Sequence, residues 1–101
     1  MSFSITRIEL NGNPTWQDYE NLHKSMKRNG FSRLIIGSNG KIYSLPHAEY
    51  SRQCNLTAAQ VRDQANAAAC LVWNDVQALT TEGQIVWIGL REATSIEIAA
   101  A

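Results

Sequence analysis

The chain has 101 residues, the length of a single domain, and 45% of them are hydrophobic and 18% charged. This balance excludes a disordered chain, because enough apolar surface is present to form a core. The formal net charge is zero. The sequence therefore lacks the overall basic charge of a dedicated nucleic-acid-binding domain, and any contact with RNA or DNA must come from a local basic patch.

Residues 2–10 predict the first strand. Apolar and polar side chains alternate there, but the parity of the apolar positions changes near Thr6. This irregularity predicts a bulge or a change of face at that point. The Asn-Gly-Asn-Pro sequence that follows is typical of a strand end.

The first helix is predicted over residues 16–29. Thr15 and Asp18 have the spacing of a capping box, and apolar side chains recur every three or four residues along one face. The last turn is basic, which suits the helix dipole, and Gly30 follows as a natural end.

A hairpin and a second helix follow in the sequence. Residues 31–36 and 41–50 predict two strands joined by an Asn-Gly turn, and Pro46 interrupts the second strand because proline cannot donate to a ladder. Thr57 and Gln60 form another capping box, which predicts a second helix that ends near Trp73.

Two more strands are predicted at residues 76–80 and 84–90. The last has no polar face, and an uncovered edge strand of this kind promotes aggregation. A homodimer in which Ile85, Trp87 and Ile88 form the interface would cover it. The alternative is that Trp87 folds over the core of its own chain, beneath the C-terminal tail.

Together these elements predict an α+β fold. The expected architecture is a ferredoxin-like βαββαβ two-layer sandwich with an extra C-terminal strand, in which the first and third strands occupy the centre of the sheet. Residues 1–91 form the expected domain, and residues 92–101 are expected to be a frayed tail.

The chain lacks the strong catalytic and cofactor signatures, including GxGxxG, GxxxxGK[ST], HExxH, GxSxG and CxxC. We therefore expect no cofactor and no metal site. No run of about 18 apolar residues predicts a membrane helix, and the N-terminus does not have the pattern of a signal peptide. Cys54 and Cys70 are expected to be reduced thiols in a cytoplasmic protein.

Residues 43–50 hold the densest group of chemically useful side chains. Cleavage of RNA without metal needs a base, an acid and a cation for the phosphate. His47, Glu49 or Tyr50, and Arg33 are the candidates, with Glu49 orienting the imidazole from the same face of a strand. The alternative is a surface histidine beside a cross-strand Arg–Glu pair.

Candidate RNA contacts come from the basic helix end and from the hairpin. They are Lys24, Lys27, Arg28 and Tyr43. The alternative for the three cations is a solvated helix end that matches the dipole. His23, on the apolar face of the helix, is expected to be a hydrogen-bonded packing residue.

Four segments carry a resemblance to a known family: residues 15–23, 30–33, 43–50 and 56–57. They resemble a family of small bacterial proteins grouped with the GhoS-type endoribonuclease antitoxins of type V toxin–antitoxin systems, and the resemblance extends over roughly residues 5–72. It implies a Cas2-like ferredoxin fold and cleavage of a toxin mRNA.

Two functional hypotheses follow. The first is an antitoxin-like endoribonuclease or RNA-binding protein that acts on single-stranded mRNA without metal. The second is a non-enzymatic, dimeric protein-interaction adaptor of bacterial or phage origin, which the zero net charge favours. Neither hypothesis involves a membrane.

Overall fold

The computed structural model describes residues 2–101 and shows an α+β fold with antiparallel sheets and three helices. The elements in chain order are β1 (Ser2–Leu10), α1 (Trp16–Arg28), β2 (Leu34–Ile36), β3 (Ile42–Ser44), β4 (Glu49–Cys54), α2 (Ala58–Cys70), β5 (Val76–Glu82) and α3 (Ser95–Ala100). Within this part of the chain, no helix is both long and apolar enough to cross a bilayer.

Strand β1 is the centre of the main sheet, whose strand order is β4-β1-β5. Its pairing with both neighbours is continuous, so the expected bulge near Thr6 is absent. The even-numbered side chains from Ser4 to Leu10 are all buried. The parity seemed to change because Ser4 and Thr6 are polar residues on the inner face, and the Thr6 hydroxyl is satisfied by a 2.7 Å hydrogen bond to the Thr80 hydroxyl.

The sheet is roughly consistent with the expected ferredoxin-like arrangement. Only β1 is central in this three-stranded sheet, and β4 and β5 lie at its two edges. However, β2 and β3 form a separate two-stranded sheet. An isolated bridge between Ser32, just before β2, and Ser51 links it to β4, and the Ser51 hydroxyl donates to the Leu34 carbonyl over 2.6 Å.

The predicted strand over residues 41–50 is in fact two strands, β3 and β4. A turn separates them, in which the Glu49 amide donates to the Pro46 carbonyl over 3.1 Å and Ala48 has a φ of 56°. Proline therefore does more than interrupt a ladder, because the chain reverses there and joins a different sheet.

The predicted strand at residues 84–90 does not form. Gly83 and Gly89 have φ values of 143° and 78°, and this segment leaves the sheet between them. The chain then rejoins β3 through backbone hydrogen bonds from Ser44 to Arg91 and from Ala93 to Ile42, both 2.9 Å long. In place of the expected extra strand, residues 84–90 form an irregular segment that we call the crossing, and residues 91–93 pair with β3.

The expected frayed tail is also wrong, because residues 95–100 form helix α3. Thr94 and Glu97 complete a capping box there. Of the expected dimer-interface residues, Ile85 and Trp87 are half-buried, and the Trp87 ring packs on Tyr43 with centroids 5.7 Å apart. Ile88 is 98% exposed.

Both long helices pack on the inner face of the sheet. Helix α2 contributes small buried side chains, and the Ser25 hydroxyl of α1 donates to the Ala68 carbonyl over 2.7 Å, so the helices lie close together. Helix α2 ends at Cys70, slightly before the predicted end at Trp73, whose indole N–H donates to the Asn11 carbonyl. The larger core side chains are Ile8, Leu10, Leu22, Met26, Phe31, Tyr50 and Val61.

The predicted caps of α1 and α2 are confirmed. In α1 the Thr15 hydroxyl accepts from the Asp18 amide, and the Asp18 carboxylate accepts from the Thr15 amide over 2.7 Å. We therefore expect Thr15→Ala to reduce the free energy of unfolding by about 1 kcal/mol. Urea denaturation measures the change, Thr15→Ser is the control that keeps the hydroxyl, and an unchanged midpoint in the alanine variant would contradict the assignment.

Candidate functional site

One face of helix α1 forms a wall of a cleft of about 660 Å³. Glu20, His23, Lys24 and Lys27 line it from this helix, at the i, i+3, i+4 and i+7 spacing that places side chains on one face. Residues 30–34 form the opposite wall, and Glu97, Ala100 and Ala101 contribute from the C-terminal segment. The cleft therefore combines three cationic side chains, those of Lys24, Lys27 and Arg33, with two carboxyl side chains.

A buried hydrogen bond lies beside this cleft. The Nδ1 atom of His23 is 2.6 Å from the hydroxyl oxygen of Tyr50, and the direction of donation depends on the tautomer of the imidazole. His23 is 8% exposed and Tyr50 is fully buried. The expectation that His23 is a hydrogen-bonded packing residue agrees with this geometry, but the histidine also reaches the cleft wall.

Burial and nearby charges determine the protonation of this pair. Burial, with Arg33 and His47 as further causes, lowers the pKa of His23 to about 4. Burial raises the pKa of Tyr50 well above its ordinary value. At neutral pH both groups are therefore uncharged, which avoids a charged imidazole next to Arg33.

His47 lies at the edge of the same group of rings. It is exposed, and its ring centroid is 4.5 Å from that of Tyr19 and 6.0 Å from that of His23. The Tyr19 hydroxyl accepts a hydrogen bond from the Leu10 amide over 3.2 Å, which anchors the ring beneath His47. The imidazole of His47 is therefore both exposed and held in place against a half-buried neighbour.

The structure brings together three of the four predicted catalytic residues. Arg33 contributes to the electrostatic environment of both His23 and Tyr50, and His47 packs near His23. Glu49 lies elsewhere: it is opposite Arg7 on β1, whereas Tyr50 is opposite Thr6 on the buried face. Neighbouring strand residues point to opposite faces, so Glu49 points away from the face that holds Tyr50. His47 is in the turn before β4, so shared strand parity does not relate it to Glu49.

Of the four predicted RNA contacts, Lys24 and Lys27 line the cleft. Arg28 is exposed on the last turn of α1, outside the cleft walls. Tyr43 is on the hairpin, where its hydroxyl accepts from the Asn39 side chain over 3.0 Å and its ring packs on Trp87.

Sequence reasoning missed Glu20 and Glu97 and assigned His23 no part in the site. The shared helical face of residues 20, 23, 24 and 27 was a usable signal for the first wall. No local signal relates Glu97 to this helix, because more than 70 residues separate it from Lys24. Among residues 2–101, no group of three or more His, Cys, Asp or Glu side chains is arranged to hold a metal ion.

The low pKa of His23 predicts a pH-dependent stability. Between about pH 6.5 and pH 4 the unfolded chain binds a proton at this imidazole and the folded chain does not, so the free energy of unfolding falls as the pH is lowered through this window. The contribution is about 2 to 3 kcal/mol.

Urea denaturation between pH 7 and pH 4 measures this effect. His23→Gln is the matched control, because an amide keeps a hydrogen-bonding partner for Tyr50 and does not titrate. We expect wild-type protein to lose about 2 to 3 kcal/mol more than His23→Gln over this range. Parallel pH profiles of the two proteins would contradict the buried, neutral state of His23.

Comparisons with known proteins give no information about this site, so its chemistry is inferred from its own side chains. No protein-family model and no curated protein matches the chain. The likeness of its sequence segments to the antitoxin family therefore remains an expectation.

Proposed function

We propose that the protein binds single-stranded RNA in the cleft beside α1 and cleaves it without metal, as a GhoS-like antitoxin would. The observation that carries the proposal is the exposed imidazole of His47, whose ring centroid is 6.0 Å from that of His23 in the wall of a cleft that Lys24, Lys27 and Arg33 also line. His47 itself lies outside the cleft walls, beyond His23. A proton acceptor and phosphate-binding cations are the two requirements of this chemistry.

The proposed reaction is attack of the RNA 2′-hydroxyl on the adjacent phosphorus. His47 accepts the hydroxyl proton as the new P–O bond forms, and the bond from phosphorus to the 5′-oxygen breaks. The leaving oxygen takes a proton from water, so the products are a 2′,3′-cyclic phosphate and a 5′-hydroxyl end. Arg33 stabilises the negative charge that develops on the phosphate oxygens.

Tyr50 has a different role from the one that its sequence position predicts. Its side chain is fully buried, so we assign it no contact with RNA. It is a positioning residue, because its 2.6 Å hydrogen bond restrains the His23 imidazole on the wall of the cleft. Glu49 has no place in this proposal, because it lies on the other face of the sheet.

We also propose the detailed fold, the RNA target and the cellular location of the protein. The order β4-β1-β5, extended by the bridge from Ser32 to Ser51, supports the ferredoxin-like plan of the antitoxin family. The action on a toxin mRNA and the location in a bacterial cytoplasm rest on the resemblance of the sequence segments.

The cleavage proposal predicts activity on single-stranded RNA in the presence of EDTA. His47→Ala and Arg33→Ala should each reduce the rate at least about tenfold, which corresponds to about 1.4 kcal/mol in the activation barrier. Arg7→Ala is the charge-matched control, because Arg7 is exposed on the opposite face of the sheet. Gel electrophoresis of a labelled RNA measures the rates.

Full activity of both site variants, or a requirement for magnesium, would contradict the proposed site. Absence of cleavage by a preparation free of contaminating nuclease would contradict the enzymatic function. That result would favour the second candidate, a dimeric protein-interaction adaptor.

A specific observation favours this second candidate. Leu79 on the edge strand β5 is 66% exposed, and Val86 and Ile88 in the following crossing are 80% and 98% exposed. A contiguous patch of exposed apolar side chains is typical of a surface that meets another protein, and Val86 and Ile88 are two residues apart in the same segment. A second copy of the chain is the partner that we propose, as expected from the sequence.

Sedimentation equilibrium at micromolar concentration tests the dimer. We expect a mass of twice 11.2 kDa for the wild-type chain, and dissociation by Ile88→Glu, since a buried unpaired carboxylate is costly. Leu71→Glu, at a 75% exposed position after α2, is the control that should remain dimeric. A wild-type monomer would refute the interface.

A further inference from the structure

Helix α3 lies over part of the cleft. Its residues Glu97 and Ala100 contribute to the cleft wall together with Lys27 of α1. The Lys27 ammonium donates to the Ala100 carbonyl. One of the three cleft cations is therefore already occupied by this segment of the chain.

The Glu97 carboxylate holds α3 in place through several hydrogen bonds. It accepts from two nitrogens of the Arg91 guanidinium, each over 2.8 Å, from the Ser44 hydroxyl over 2.7 Å and from the Thr94 amide over 2.9 Å. These contacts hold a carboxylate at the cleft wall, where it occupies part of the lining with its charge paired to Arg91.

Apolar packing does little to hold α3. The helix has six residues and none of them is buried. Ile96 is 80% exposed and Ile98 is 43% exposed. The free energy that holds the helix therefore comes from its polar contacts, and salt weakens the exposed ion pair between Glu97 and Arg91. Segments of this kind open locally at low cost.

We propose that α3 is a releasable cover over the cleft, and that an anionic ligand must displace it. Under the proposed function, on which this inference rests, the ligand is single-stranded RNA. Its phosphates take the place of the Ala100 carbonyl at Lys27 and reach Lys24 and Arg33 once the Glu97 carboxylate has moved away. Because the ligand binds only the open form, its apparent affinity is reduced by the fraction of molecules that are open.

Two variants of the full chain test the cover. Thr94→Ala removes the hydroxyl that caps the N-terminus of α3. This hydroxyl is uncharged, so the substitution leaves the charge of the cleft unchanged. Glu97→Gln removes the charge that pairs with Arg91, while the amide oxygen can still accept from the Thr94 amide. Asp63→Asn is the control, since it causes the same change of charge at an exposed ion pair with Arg62 on α2.

Two quantities are measured for each variant. Mass spectrometry gives the rate at which a water-soluble acetylating reagent modifies Lys27, and fluorescence anisotropy gives the Kd for a labelled eight-nucleotide single-stranded RNA. We expect Thr94→Ala and Glu97→Gln to raise the Lys27 modification rate and to lower the Kd, each by about threefold or more. Asp63→Asn should change neither quantity by as much.

Three other outcomes would each overturn the cover, its competition with RNA or the proposed function. An unchanged Lys27 modification rate in both variants would overturn the cover. If Lys27 is modified faster in Thr94→Ala but RNA does not bind more tightly, then α3 does not compete with RNA for the cleft, because this variant does not alter the charge of the cleft. Faster modification in a protein that binds no RNA would support the cover and overturn the proposed function.

Discussion

The hydrogen bond between His23 and Tyr50 is the interaction on which the candidate site depends. It joins α1 to β4 across 27 residues of sequence, in a place where neither partner can turn to water instead. A buried polar group without a partner costs about 1 to 3 kcal/mol, so the two side chains hold each other in place. This bond acts together with the burial of Leu22 and Met26 on the same face of α1, which leaves Lys24 and Lys27 on the side that lines the cleft.

Burial gives this pair its chemical character as well as its position. The same removal from water lowers the pKa of His23 and raises that of Tyr50, so a neutral pair lies next to the positive charge of Arg33. The exposed His47 is left as the histidine that can meet a ligand directly. In the proposed function the buried groups position and the exposed group reacts, which suits a small domain whose core has little room for charge.

The turns decide which side chains meet at the cleft. The reversal after Pro46 takes His47 out of the strand and sets its ring on Tyr19. After the chain departs at Gly83, residues 91–93 pair with β3, and this path carries α3 to the wall of the cleft. The candidate site and the helix that lines it are therefore built from segments that are distant in sequence, and Glu97 joins them through its contacts with Ser44 and Arg91.

The sequence alone determined the features that depend on residues within about four positions of one another. These are the capping boxes at Thr15 and Thr57, the extents of α1 and most of α2, and the hairpin of β2 and β3, because each rests on local hydrogen bonds and local backbone preferences. Within the turn of that hairpin Gly40 has a positive φ of 81° and Asn39 does not, so the two-residue Asn-Gly turn type is not the one that forms. It also singled out Arg33, His47 and Tyr50, since few other residues offered the same chemistry.

Only the tertiary structure decided the rest. An apolar run such as residues 84–90 has the composition of a strand, but a strand also needs a neighbour with free hydrogen-bonding groups, and the glycine at position 83 directs the chain away from the sheet. The opposite placement of Glu49 and the buried partner of His23 depend on strand pairing and on packing between layers. The same holds for the contact of α3 with Lys27, because 73 residues separate its two partners and no local pattern records which distant segments meet.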